Sequence, residues 1–283
     1  MSRTRIVQPD WSARVGDGEA RMEALLERSP EENGSGEWCR LSKPGLGKRE
    51  RWAWKPGGGD LVFVKRYLAD GFKAQCDRIF RQCASHSRAY WEYTQSMQLA
   101  EAGVPVVRAL GFAEEMSGPI ERRSAVLFER APGDAFDRVW LRLVREDSPL
   151  TRGVARHEFA RRIGRLAAAF HGTGLCHRDL YLCHIFVELD ESIQRPPHFT
   201  IIDLARLHRP RWRRMRWIVK DLSQLDTSAR QIGASRCDRL RALYAYLGLN
   251  RFSPRVRCYT RAVTRKSDAI LRRIARRSAD ATS

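Results

Sequence analysis

No run of about 18 consecutive apolar residues occurs in this 283-residue chain, so no segment is expected to cross a membrane as a helix. Residues 1–14 lack the apolar core of a signal peptide, which makes a cytoplasmic location the expectation. The seven cysteines are odd in number and show no paired framework; a disulfide scaffold is therefore not expected, and a reducing compartment is. Cys76, Cys83 and His86 lie near one another but without zinc-motif spacing or an evident fourth ligand, so they are read as structural. Acid is in deficit: 33 Asp and Glu stand against 52 Lys and Arg, a formal charge of +19. Such an excess points to an anionic partner, whether a phosphorylated substrate, a membrane face or a nucleic acid, with a merely solubilising surface as the bland alternative.

The most informative stretch is residues 176–187. A polar loop, 177–184, runs into an apolar strand, 185–189. Before it, Phe159, Ile163, Leu166 and Phe170 recur at spacings of four, three and four, the stripe of an amphipathic helix over residues 154–172 stopped by Gly172 and Gly174. After it a second apolar run, 199–202, ends in Asp203. Two carboxylates, Asp179 and Asp203, are thus presented by neighbouring elements. One suits orienting a hydroxyl, and the other suits holding a metal on a phosphate.

The residues 177–179, His-Arg-Asp, resemble the catalytic loop of the protein-kinase-like fold, and Asp203 stands where that fold carries its metal-binding aspartate. The closer resemblance is to the lipopolysaccharide kinase (Kdo/WaaP) family. It rests on HRDxYxxH at 177–184, on Ile202-Asp203-Leu204, and on a basic stretch ending in Lys220-Asp221-Leu222; it covers roughly residues 36–250. The resemblance implies an α+β, two-lobed protein-kinase-like fold. A polar extension (1–35) would precede an antiparallel-sheet N-lobe with one key helix (36–128) and a mostly helical C-lobe (129–283). It implies ATP and Mg2+, and as acceptor a heptose or Kdo hydroxyl of the lipopolysaccharide core.

Individual residues follow from that frame. Asp179 is expected to steer the acceptor hydroxyl and accept its proton. Asp203 would bind Mg2+, with His184 beside it, although imidazole is a poor ligand for so hard an ion. Lys65, on a strand over 61–67, would contact the nucleotide phosphates and pair with Glu92 of a helix over 87–102. Gly45, Gly47 and Lys48 would form the phosphate-covering turn, a stretch that taken alone reads as an ordinary hairpin. Glu129 opens the connector between the lobes, where backbone groups would bind adenine. The basic residues Arg206, Arg209, Arg211, Arg213, Arg214 and Lys220 are expected to bind acceptor anions or the anionic inner-membrane surface, with Trp212 and Trp217 as interfacial anchors.

Two departures from protein kinases favour the lipopolysaccharide kinases: His184 replaces a metal-binding asparagine, and Tyr181 replaces a lysine. The rival readings are a protein kinase and an inactive kinase-fold adaptor that binds anionic membrane or nucleic acid. No dedicated nucleic-acid partner is expected. The basic tail, 256–277, reads equally as a surface membrane helix or as a helix packed on the C-lobe.

Overall fold

Val62, Val64 and Tyr67 along 62–68 and the apolar run 109–113, followed by buried Glu114 and Glu115, organise the first half of the chain as a sheet. A computed structural model describes residues 1–15, 18–30, 38–41, 49–56, 59–69, 71–189, 196–250 and 253–280. It divides into two units, Met1–Ala131 and Pro132–Ser283. In the first, β1 (Ser2–Val7), β2 (Trp38–Arg40), β3 (Arg49–Trp54), β4 (Val62–Leu68), β5 (Ala109–Ser117) and β6 (Ile120–Glu129) form one antiparallel sheet in the order β1-β5-β6-β4-β3-β2. Helices α1 (Pro9–Val15) and α2 (Gly18–Glu27) supply Trp11, Met22, Leu25 and Leu26 to a core shared with Trp52, Trp54, Val64 and Leu127. Two further helices are α3 (Phe72–Arg81) and α4 (Arg88–Glu101). Ser87 caps α4, its hydroxyl accepting from the Tyr90 amide at 3.1 Å, and Tyr93 sets its ring 5.2 Å from Phe112 of β5.

Of residues 1–35, expected as a partly ordered polar extension with one short helix around 20–28, the described ones, 1–15 and 18–30, enter this unit as a strand and two helices. Strand β1 pairs with β5 from Ser2↔Met116 to Val7↔Gly111, and its outward Arg3 and Arg5 bind Glu23, Glu27 and Glu19 of α2. The strand carries almost no apolar alternation. Its place is set by a free sheet edge and by ion pairs with a neighbouring helix.

The second unit holds α5 (Phe136–Arg145), α6 (Gly153–Gly172), α7 (Arg214–Gln231), α8 (Arg236–Leu247) and α9 (Pro254–Asp280), with a small sheet of β7 (Asp134–Ala135), β8 (Ile185–Glu188) and β9 (His198–Ile201). Gly164 lets α6 approach α8 closely, since a Cβ there would meet the Ala242 carbonyl oxygen at 2.1 Å. Gly248, at φ 65, ends α8 in the left-handed conformation that glycine adopts without steric cost. The tail becomes α9, which buries Val256, Tyr259, Val263 and Ser267 and leaves its arginine-rich end exposed. Among the described residues, no helix is long and apolar enough to cross a membrane.

Candidate active site

In the first unit, β4 and α4 bring together the lysine and glutamate expected as a pair. Lys65 Nζ lies 2.7 Å from Glu92 Oε2, and the Tyr67 hydroxyl donates to Glu92 Oε1. Glu92 is fully buried and the Lys65 ammonium sits 5.1 Å from the centre of the Phe128 ring. A buried carboxylate is costly without such partners, and in return it fixes the ammonium on a rigid strand. Glu129 is engaged elsewhere, accepting from Arg108 Nη1 at 2.9 Å while its amide bonds the Arg108 carbonyl. Gly45, Gly47 and Lys48 lie outside the described residues.

In the second unit, the loop after α6 is held by one polar stripe of α7. Asp221 Oδ1 accepts from the Arg178 amide at 2.8 Å; Oδ2 accepts from the His177 amide at 2.7 Å and from His171 Nε2 at 3.2 Å. One turn on, Gln224 accepts from the Leu180 amide and donates to the Arg178 carbonyl; a further turn on, the Ser228 hydroxyl accepts from the Leu182 amide. Lys220 also donates to the Arg178 carbonyl. Arg178 takes a left-handed backbone, φ 70, that costs a non-glycine residue about 1–3 kcal/mol. Three side chains of α7 on its amide and carbonyl hold it there. Sequence reasoning saw Asp221 only as part of a motif and missed Gln224 and Ser228. The available signal was their shared spacing of three and four on a helix that also buries Ile218, Leu222 and Leu225.

The loop presents Asp179. Its Oδ2 lies 2.7 Å from Arg206 Nη1 and its Oδ1 is 3.5 Å from Gln224 Nε2. His184 joins it to Asp203: Nδ1 donates to the Asp179 carbonyl at 2.7 Å, and Nε2 faces Asp203 Oδ2 at 3.8 Å. Burial opposes charge on this imidazole, but Cys183, Asp203 and the Asp179 carbonyl outweigh it and lift its pKa to about 9. Asp203, at φ 61, is a second left-handed residue, held just after β9. His177 is wholly buried: Nε2 donates to the Ile202 carbonyl at 3.1 Å, Nδ1 has no partner, and burial lowers its pKa. An unpartnered ring nitrogen is what a neutral imidazole leaves there.

The basic block does not form one patch. Arg206 pairs with Asp179, Arg209 donates to the Thr173 carbonyl, Arg214 to the His171 carbonyl, and Lys220 reaches the loop itself. Burial brings Lys220 down to about 8, with Arg206 and Arg178 adding to it and Asp179 and Asp221 opposing. Arg211, Trp212 and Arg213 are exposed, Trp212 at 83%, and Arg206, Arg209, Arg214 and Arg216 also keep exposed surface. Trp217, expected at an interface, instead packs edge-on against His208 and under Arg178.

A His-Arg-Asp loop anchored by the helix behind it, in a chain with a strand lysine paired to a helix glutamate, belongs to the protein-kinase-like class, and the fold agrees. A solved structure, WaaP in complex with acyl carrier protein, superposes with a TM-score of 0.65 over 94% of this chain and 98% of that one, at 21% identity. Residues 47–246 match the description of the lipopolysaccharide kinase (Kdo/WaaP) family, and the chain belongs to that family. Lipopolysaccharide core heptose(I) kinase WaaP of Pseudomonas aeruginosa is 31% identical over 160 residues, which is 55% of this chain and 58% of that protein. Its Escherichia coli K12 counterpart is 28% identical over 156 residues, 54% and 57% of the two chains. The match thus spans somewhat over half the length of these curated relatives.

Proposed function

We propose that this chain transfers the γ-phosphoryl group of ATP to a sugar hydroxyl of the lipopolysaccharide core, heptose in preference to Kdo. The observation that carries this is Asp179, presented on a loop whose backbone amides are fixed by Asp221, Gln224 and Ser228. The heptose preference rests on the named relatives, both heptose(I) kinases.

In this reading the acceptor oxygen attacks the γ-phosphorus, the bond to ADP breaks, and the hydroxyl proton passes to Asp179. A hydroxyl is a weak nucleophile, so most of the gain lies in holding it aligned. Arg206 and Lys220 place positive charge around Asp179, where protein kinases carry a lysine and this chain has Tyr181. Lys65, locked by Glu92, binds nucleotide phosphate.

Asp203 offers a half-buried carboxylate suited to Mg2+, a hard ion that takes oxygen ligands and keeps several waters or phosphate oxygens. When bound, that ion supplies charge neutralisation on the phosphates. His184, whose Nδ1 donates to the Asp179 carbonyl, stands beside Asp203 and is a poorer ligand than the carboxylate for so hard an ion.

A peptide acceptor is disfavoured by the segment after Asp203. It makes one short turn, Leu204–Arg206, bridges His208 to Cys176 and enters α7 at Arg214, leaving little chain for a peptide-binding platform. The outward Arg211, Trp212 and Arg213 are assigned to the acidic sugars and phosphates of the acceptor or to the anionic bilayer that carries it.

One further partner has a structural footing. An apolar cavity of about 350 Å³ lies among Phe159, Ile163, Leu222, Leu225, Leu243 and Val263 in the second unit. Its size suits an acyl chain, and the solved neighbour is bound to acyl carrier protein. We assign an acylated carrier protein to this cavity; a thermal shift with the acylated but not the unacylated carrier tests it. The test of the activity is incubation with labelled ATP, magnesium and extracted core glycolipid, then location of the new phosphate by mass spectrometry. Label on a heptose is expected; label on peptide alone would overturn the assignment.

A further inference from the structure

Helix α3 is built inside out. Its buried residues are Gln75 and Arg78, and its apolar residues Phe72 and Phe80 are 86% and 84% exposed. The polar side is heavily tethered. Arg78 donates to the carbonyls of Cys83, His86 and Pro119 and pairs with Glu121 at 3.5 Å. Gln75 donates to the Glu121 carbonyl at 2.8 Å and accepts the Glu121 amide at 3.2 Å. Rolling the helix to bury its phenylalanines would break every one of these bonds in a buried setting, where an unsatisfied polar group is costly. The outward orientation is therefore fixed by the fold.

Phe72, Cys76 and Phe80 share one helical face, and the two rings stand about 12 Å apart along the axis, at about 1.5 Å per residue. Lys73 borders that face and is exposed. The sole acid of α3, Asp77, is paired with Arg81. Two phenylalanines offer about 150–250 Å² each, well short of the about 800 Å² per partner of a stable protein interface. The patch is too small for a second copy of the chain. Exposed aromatic side chains beside Lys73 and Arg81 of the same helix, in a chain of formal charge +19, suit the boundary of an anionic bilayer, where apolar groups enter the acyl region and basic groups meet the headgroups.

We propose that α3 is a membrane-docking element, with Phe72 and Phe80 inserting into an anionic lipid surface and the basic side chains of the same helix, Lys73 and Arg81, meeting its headgroups. This rests on the reading that the acceptor is carried by a membrane. It names the contact, which that reading leaves open.

The test is co-sedimentation of the full chain with vesicles of phosphatidylethanolamine and phosphatidylglycerol, and with pure phosphatidylcholine vesicles, without nucleotide or glycolipid. Its outcome is thus independent of kinase activity. The wild type is expected to favour the anionic vesicles. Phe72→Ser with Phe80→Ser should reduce partition at least tenfold at unchanged melting temperature; Phe72→Leu with Phe80→Leu should retain it. If the serine variant fails to fold, Lys73→Glu with Arg81→Glu carries the test, and should abolish the preference for anionic over neutral vesicles. Partition unchanged in both variant pairs would overturn the proposal. So would light scattering that shows a wild-type dimer lost in the serine variant, which would make a second copy the occupant. A chain that phosphorylates detergent-dispersed glycolipid but ignores vesicles would overturn only this inference.

Discussion

Replacing Asp221 by alanine removes the acceptor for the His177 and Arg178 amides and for His171 Nε2. All of these groups are buried, so water does not take its place. Each orphaned donor costs roughly 1–3 kcal/mol. The carboxylate's own burial was unfavourable, and losing it returns part of that sum, which leaves about 3–5 kcal/mol, the range for breaking a buried charged pair. For a unit of this size about 1 kcal/mol shifts Tm by roughly 2–4 °C, so a fall of about 10 °C is expected in calorimetry. Asp221→Asn is the sharper variant. An amide has one acceptor oxygen, and its NH2 would face a donor, so asparagine should be nearly as damaging as alanine. The left-handed Arg178 would relax with either change, and phosphate transfer should fall at least about 100-fold through loss of alignment. An asparagine variant with wild-type Tm, or an alanine variant shifted by less than about 2 °C, would refute the reasoning.

Further expectations concern other elements. Lys65→Met leaves Glu92 buried without its cation; both stability and nucleotide binding should drop, by about 3–5 kcal/mol in unfolding free energy, whereas methionine at an exposed lysine would change neither. Gly164→Ala should cost at least about 1–3 kcal/mol from overpacking against the Ala242 carbonyl, seen as a lower denaturant midpoint. His177 has a folded pKa below its unfolded 6.5 because of burial. The unfolded chain therefore binds the proton first: stability is full above pH 6.5 and falls by up to about 1.4 kcal/mol per pH unit below it, a slope that His177→Gln should flatten. Asp221, held low by His171 and the loop against its burial, contributes stability present above its unfolded value and lost as pH falls through the lower folded one. The difference between wild type and Asp221→Ala should accordingly shrink below about pH 3.8. Arg211→Ala with Arg213→Ala should raise the acceptor KM more than the ATP KM; equal effects on both would assign these residues to folding.

The parts of this molecule that were legible in the sequence are those whose residues act locally. Loop 177–184 could be read because its polar residues are contiguous and bounded by strong apolar periodicity. Lys65 and Glu92 were found through their order relative to the other elements of the resembled family, with Glu101 as a rival that local pattern alone did not exclude. What escaped is what long-range hydrogen bonds decide. Strand β1 has an almost wholly exposed pattern and is placed by pairing with β5. Helix α3 contradicts the rule that apolar residues face inward, because Arg78 and Gln75 find carbonyl and carboxylate partners that only the folded sheet supplies. The basic stretch 206–220 looked like one anionic-partner surface. Charge patterning alone could not show that Arg206, Arg209, Arg214 and Lys220 also bond the catalytic loop and the helix before it.

The central claim is that Asp179, held on an α7-anchored loop, carries phosphoryl transfer to a core sugar. The measurement that meets it most directly is single-turnover transfer of the γ-phosphate of ATP to purified core glycolipid by wild type and by Asp179→Asn, matched for Tm and for nucleotide affinity. The account predicts a labelled heptose from the wild type and a rate at least about 1,000-fold lower in the variant. Equal rates in the two proteins, or a wild type that labels no sugar, would contradict it.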